Sequence, residues 1–586
     1  MAAGHGYVIP PRCWAWAGHP VTLRAACWAL ALASGAYAFH RARAWHADPP
    51  DAPADLRRPD PGGSGHTQID FGGQWVMGRM LVLGHGRELY HRQRQWDVAR
   101  AGYPVDDESR VRREESILPK HERKVARTDD DVGHDADLLM SWFMGEDPAA
   151  WQKVGGAAAA PLAADPFGNP LAAIARCHAA ADAVTPGVVE ETRKPAVGGP
   201  LYPPVHAFIY APLGLFDRPR DAYALFQAVA LGFAYLTGLG ISVLTRGRVW
   251  WSVASLAVLQ YPGCRSGLEL GQNPTLSACI VVWGWVLAAR GRDVGGGALW
   301  GLFAFKPVWG LAFVLVPLLM RRWRFCAAMV GTGAALGALT LPVVGLQSWF
   351  DWLNVGREAA YYYNRSANWI NLSRDLQGMP RRFLHDFSKP IGDDTPLANL
   401  CGWAVWGVVL AATILIYLTR GDRRHPTGLG AGFLFLGAFL TCYRFMYYDI
   451  LLSLVAVAVL LAEPWRAFRT VVFNLSAVVH LPTPGRDLVP PAPAPDPFGP
   501  RQVGYLNSFP LTVLVCLYVL ANMILGLLPE ATFGVGSWAT AAPGDAAAVT
   551  PRLRFEGTLA YPWDTALILL LWAWCGGKLL VRGDER

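Results

Sequence analysis

The sequence predicts an all-α polytopic membrane protein of about 11–13 transmembrane helices with a long first extracytoplasmic loop. Three observations lead there. First, 53% of the 586 residues are hydrophobic and only 17% are charged, against about 25% charged in ordinary soluble domains. Second, the apolar residues gather in long windows, and mean hydropathy is +0.22. Third, the net charge of +7 comes mainly from short Arg clusters at the ends of those windows, the pattern of a topology signal and not of a nucleic-acid footprint. The 25 Trp, 25 Phe and 19 Tyr suit a chain with many membrane-interface positions.

A hydrocarbon core about 30 Å thick takes about 20 apolar residues in a helix. Windows that meet this lie near 21–39, 222–244, 272–289, 324–346, 397–419, 446–463, 508–528 and 561–581. Shorter or interrupted ones lie at 201–216, 250–262, 294–305, 307–320 and 426–442. The first window could be a signal peptide. The charged "RARAWH" after it and the many later spans favour a retained helix with residues 1–20 cytoplasmic.

Positive clusters set the orientation. "RRWR", "RGDRRH", Arg466 with Arg469, and the tail "VRGDER" are expected in the cytoplasm. The loop from about 347 to 396 and the start of the 446–463 span then face outward. "TRGR" and "ARGRD" also look cytoplasmic, which requires 294–305 and 307–320 to cross as two short helices meeting near Lys306-Pro307, with 201–216 re-entrant or interfacial. Proline removes a backbone donor and clashes with the preceding turn, so a break there is expected.

The chain divides into a catalytic membrane domain over 21–465, a Pro-rich linker over 466–507 and C-terminal helices over 508–586. The outer loop at 40–200 contains a charge-dense insert over 97–195, which reads as a solvated segment. The ten cysteines are scattered without a C-x-x-C pair, which argues against a disulfide framework or a zinc site. No nucleotide or protease motif is present, and no cofactor or nucleic-acid partner is expected.

Charges in or against the hydrocarbon are costly and mark candidate sites. Asp70, in "TQIDFGGQW", precedes a stretch to Leu83 that looks like a helix lying on the outer membrane surface. The acid is either a working carboxylate or an N-cap. In "GLELGQNP", Glu269, Gln272 and Asn273 stand at the mouth of a span. They either bind sugar hydroxyls or form a helix start ahead of Pro274. Lys306 has about ten apolar or small residues on each side, so it either meets an anion or a water-filled cavity or snorkels toward a distant interface. Arg444 and Asp449 flank three aromatics in "CYRFMYYDILL", either as a local pair in an interfacial belt or as a site. Arg357, Glu358, three Tyr, Asn364 and Asn368 offer a surface for carbohydrate or for docking on the membrane.

The order of these segments resembles glycosyltransferase family 87, integral-membrane mannosyltransferases and related enzymes of the GT-C fold. The first-loop acid is followed by "LYPPVHAFIYAPLGLF", then "GQN", then "GLFAFKP…RRWR", then "YRFMYYDILL". The resemblance covers about 66–90 and 200–465. It implies a GT-C-like bundle and inverting transfer of a hexose, typically mannose. The donor would be a polyprenyl-phosphate sugar and the acceptor a glycolipid or glycan, met at the extracytoplasmic face of the bilayer in the cell membrane. It implies Asp70 as general base and Gln272 and Asn273 as residues that orient the sugar. By position, Lys306 and Arg444 would stabilise the leaving phosphate, with Tyr202, Glu269, Arg357 and Asp449 on the substrate side. The insert between Tyr90 and Tyr202 is longer than the family leads one to expect, and beyond about 465 only hydrophobicity matches. A flippase for lipid-linked glycans would share the groove and the cations without needing the base, and an inactive assembly subunit would need neither.

Overall fold

The computed structural model describes residues 20–44, 71–91, 94, 95, 98, 101, 201–247, 249–363, 373–384, 396–462 and 562–582. Asp70, most of the charged insert, the Pro-rich linker and the expected span at 508–528 lie outside them, as do Asn364 and Asn368. So do the side chains of Arg357 and Glu358.

The described protein is an all-α polytopic membrane protein. In chain order the helices are α1 (Pro20–Ala44), α2 (Gly72–Val82), α3 (Pro204–Gly214), α4 (Pro219–Leu244), α5 (Trp251–Gln260), α6 (Cys264–Leu270), α7 (Pro274–Ala289) and α8 (Asp293–Gly301). There follow α9 (Pro307–Phe313), α10 (Leu315–Leu319), α11 (Trp323–Val344), α12 (Gln347–Tyr363), α13 (Gly378–Leu384), α14 (Pro396–Arg420), α15 (Leu429–Leu440), α16 (Ser453–Leu461) and α17 (Trp563–Arg582). Among the described residues the one pairing of extended backbone is an isolated bridge between Ser373 and Met446.

Among the described residues five helices are long and apolar enough to cross a membrane: α1, α4, α11, α14 and α17. The windows expected at 250–262, 272–289, 307–320, 426–442 and 446–463 form as shorter apolar helices. The break at Lys306-Pro307 is real. A 3-10 turn (Leu302–Phe305) ends α8, Lys306 takes φ −142° and ψ 69°, and α9 starts at Pro307. That extended geometry is what a following proline imposes.

Aromatic packing holds the centre. Trp285 of α7, Trp300 of α8 and Phe435 of α15 lie with ring centroids 4.9–6.1 Å apart. Trp285 donates to the Pro426 carbonyl at 2.7 Å and Trp300 to that of Val281 at 3.1 Å, so each buried indole N–H is satisfied. The "GGG" run of α8 brings its backbone against Phe325 on α11, the close approach that small residues allow between membrane helices. At the far end of the chain, α17 docks through Trp572, which donates to Thr413 Oγ1 at 3.0 Å and stacks on Phe433.

The expectation of a surface helix after Asp70 is corrected. Helix α2 forms, but eight of its eleven residues are buried. The cause is α3, whose Tyr210 and Gly214 backbone lies directly against Gly78. Arg79 donates to the Gly214 carbonyl at 3.0 Å and pairs with Asp217, so this cation caps the end of α3.

Candidate active site

Four segments remote in sequence meet where α7 begins. Asn273 occupies the N-cap position of α7, ahead of Pro274, yet its side chain makes no capping bond. It is fully buried and its Oδ1 accepts from Lys306 Nζ at 3.5 Å. An N-cap asparagine ordinarily spends its oxygen on the N2 or N3 backbone N–H; here it is spent on a lysine. Asn273 Nδ2 is turned toward the buried Tyr210 hydroxyl.

Lys306 sits at the helix break, where the irregular backbone turns its side chain inward. Its ammonium is 2.7 Å from Asp449 Oδ1 and 5.5 Å from the centroid of Tyr448. Asp449 lies in the 3-10 turn Tyr447–Leu452, 2% exposed. The anion that Lys306 requires is thus Asp449, which is drawn to this lysine and not used up in a local pair with Arg444. Arg444 itself is half-buried with φ 57°, its guanidinium 5.6 Å from the Tyr443 ring. A left-handed non-glycine residue costs on the order of 1–3 kcal/mol and persists only where its surroundings impose it.

A second group adjoins the first. Tyr202 donates to Gln272 Oε1 at 2.8 Å, and its own carbonyl is held by the Tyr90 hydroxyl at 2.7 Å. Gln74, on α2 four residues after Asp70, donates to the Gly271 carbonyl at 2.8 Å and lies 3.2 Å from His206 Nε2. Gly271 has φ +70°, and a Cβ there would stand 2.6 Å from Phe71 Cβ. The residue next to Asp70 in the chain is therefore packed on the turn that carries Gln272 and Asn273, and only glycine permits it. Helix α3, at 11 residues, is too short to cross a bilayer. Burial lowers the pKa of its His206 to about 3; the Phe305 backbone offsets this in part and the Lys306 charge reinforces it. The imidazole is neutral at ordinary pH.

Glu269 is turned aside: its carboxylate pairs with Arg265, one helical turn back, at 2.7 Å. The loop after α12 also reaches this region. Arg374, 1% exposed, donates its backbone N–H to the Phe445 carbonyl at 2.9 Å and its Nε to Asp564 at 3.0 Å.

The sequence profile of glycosyltransferase family 87 matches residues 201–445. This region of the chain belongs to glycosyltransferase family 87. The match indicates a membrane glycosyltransferase. No curated protein and no solved structure gives a significant match. The family 87 match begins one residue before Tyr202, ends one residue after Arg444 and contains Glu269, Gln272, Asn273, Lys306 and Arg357. Asp449 and Gln74 lie outside the match and join its residues in space.

Sequence reasoning missed His206, Gln74, Arg374 and Asp564. His206 left a readable sign, since Tyr202, His206 and Tyr210 recur every four residues and so share a helical face. The pairing of Arg374 with Asp564 left none, because 190 residues separate them.

Proposed function

We propose that this glycosyltransferase moves a hexose, with mannose the first candidate, from a polyprenyl-phosphate donor to a glycolipid or glycan acceptor at the extracytoplasmic face, with inversion at the anomeric carbon. The observation that carries the proposal is the meeting of Tyr202, Gln272, Asn273, Lys306 and Asp449 from motifs that are separate in sequence.

The proposed chemistry needs a base, a sugar cradle and a charge sink. Asp70 takes the proton of the acceptor hydroxyl as that oxygen attacks the anomeric carbon. The bond from that carbon to the phosphate oxygen breaks, and the polyprenyl phosphate leaves with the electron pair. Lys306 and Arg444 supply fixed cations for the leaving phosphate. The Lys306 ammonium carries three donors; Asp449 and Asn273 engage two and leave one for a phosphate oxygen. Asp449 also offsets the cost of burying that ammonium. Asn273 Nδ2 carries two donors; one is turned toward the Tyr210 hydroxyl and the other suits a sugar hydroxyl. Tyr202 and Gln272 bound the same side, and Arg357 belongs to the acceptor approach.

The test supplies purified protein in lipid nanodiscs with radiolabelled mannose as polyprenyl-phosphate-mannose or as a nucleotide-mannose, with a membrane glycolipid extract as acceptor. Transfer from the lipid donor alone is the expected result. Transfer from the nucleotide sugar alone, or from neither, contradicts the proposal.

A further inference from the structure

His206 is a buried polar residue that the proposed chemistry does not use. It lies between two tyrosines: its ring is 4.0 Å from Tyr202 at 6° and 4.5 Å from Tyr210 at 11°. This three-ring stack runs from Tyr202, just ahead of α3, along one face of that helix. Tyr202, the outermost ring, is the residue whose hydroxyl bonds Gln272.

The hydrogen bonds fix its chemical state. Gln74 Nε2 donates to the Gly271 carbonyl, so the amide oxygen must be the atom facing His206. Flipping the amide would set two oxygens against each other. His206 Nε2 therefore carries the proton and donates it to Gln74 Oε1, at 3.2 Å. A single glutamine thus ties together α2, α3 and the turn between α6 and α7. Those elements carry the neighbour of Asp70, Tyr202, and Gln272 with Asn273.

We infer that His206 and Gln74 are positioning residues that set the Tyr202–Gln272 side of the sugar site relative to the α2 helix that follows Asp70. This rests on the transferase proposal above. Burying an imidazole and an amide stabilises a fold no better than apolar side chains of similar shape would, because each polar group must first be desolvated. What the pair supplies is direction. The bond from His206 holds the amide plane, the amide holds the Gly271 carbonyl, and the stack holds Tyr202 flat. A misplacement of about 1 Å at a reacting centre can cost about a hundredfold in rate. Lipid and phosphate supply donor affinity elsewhere, so disturbing this pair falls on kcat more than on donor KM.

The test compares kcat, donor KM and melting temperature for the full-length protein in nanodiscs. His206→Phe keeps a flat ring in the stack and removes the N–H. His206→Gln keeps a donor near Nε2 and removes the ring. The expected result for His206→Phe is a fall in kcat of about tenfold or more with donor KM within about twofold, and a recovery of kcat in His206→Gln out of proportion to any change in melting temperature. Unchanged kcat in His206→Phe overturns the inference. So do equal losses in both variants that track loss of melting temperature, since that is plain core packing. Should His206→Phe fail to fold, Gln74→Met carries the same kinetic comparison. Wild-type protein that transfers no sugar overturns the transferase proposal and this inference with it; an active wild type beside an unimpaired variant overturns this inference alone.

Discussion

Lys306 Nζ stands 2.7 Å from Asp449 Oδ1, an ion pair closed across 143 residues of sequence between a helix break and a 3-10 turn. Removing one partner of a buried pair strands the other and costs about 3–5 kcal/mol, whereas replacing both with apolar groups is often neutral. Asp449→Leu alone, or Lys306→Met alone, is therefore expected to lower stability by about that amount, and the two together to recover most of it. Thermal unfolding of the four proteins of this cycle measures the coupling. Strict additivity of the two single losses would contradict the pairing. Sugar transfer stays lost in the double variant, because Lys306 is also the proposed phosphate ligand.

Gly271→Ala places a methyl group against Phe71 at a backbone angle of +70°. Strain of this kind costs on the order of 1–3 kcal/mol. We expect reduced transfer together with a lower melting temperature, and partial relief when Phe71→Ala opens the space. A Gly271→Ala protein indistinguishable from wild type would show that the turn tolerates a side chain.

Asp564 draws α17 to Arg374, whose backbone in turn holds Phe445 beside Arg444. Asp564→Ala deprives a buried guanidinium of this carboxylate, at a cost of about 3–5 kcal/mol. Protease cleavage within 373–384 should accelerate, and transfer should fall although Asp564 lies about 120 residues beyond the family match. Cleavage at the wild-type rate would show that α17 does not brace the loop.

Much of the fold is legible because a bilayer imposes long apolar helices and penalises everything else. The windows at 222–244, 324–346, 397–419 and 561–581 each correspond to a helix, and Pro307 announced the break that turns Lys306 inward. Pairings between distant segments were not legible. Asp449 stands five residues from Arg444 in sequence, which invited a local pair; the lysine it meets was brought there by the folding of α7, α9 and α15. The stretch after Asp70 looked interfacial because nothing in its own residues announces that α3 will cover it. Unusual polarity at a span mouth singled out Gln272 and Asn273, which meet Tyr202 and Lys306 in the fold, whereas Glu269, equally polar, is taken up by Arg265.

The central claim is that Asp70 activates the acceptor hydroxyl. The most direct measurement is sugar transfer from polyprenyl-phosphate-mannose by wild type and by Asp70→Asn, each checked for an unchanged melting temperature. Loss of a positioned general base predicts a fall in kcat of about 100- to 10,000-fold with donor binding retained. Equal rates in the two proteins would contradict the account.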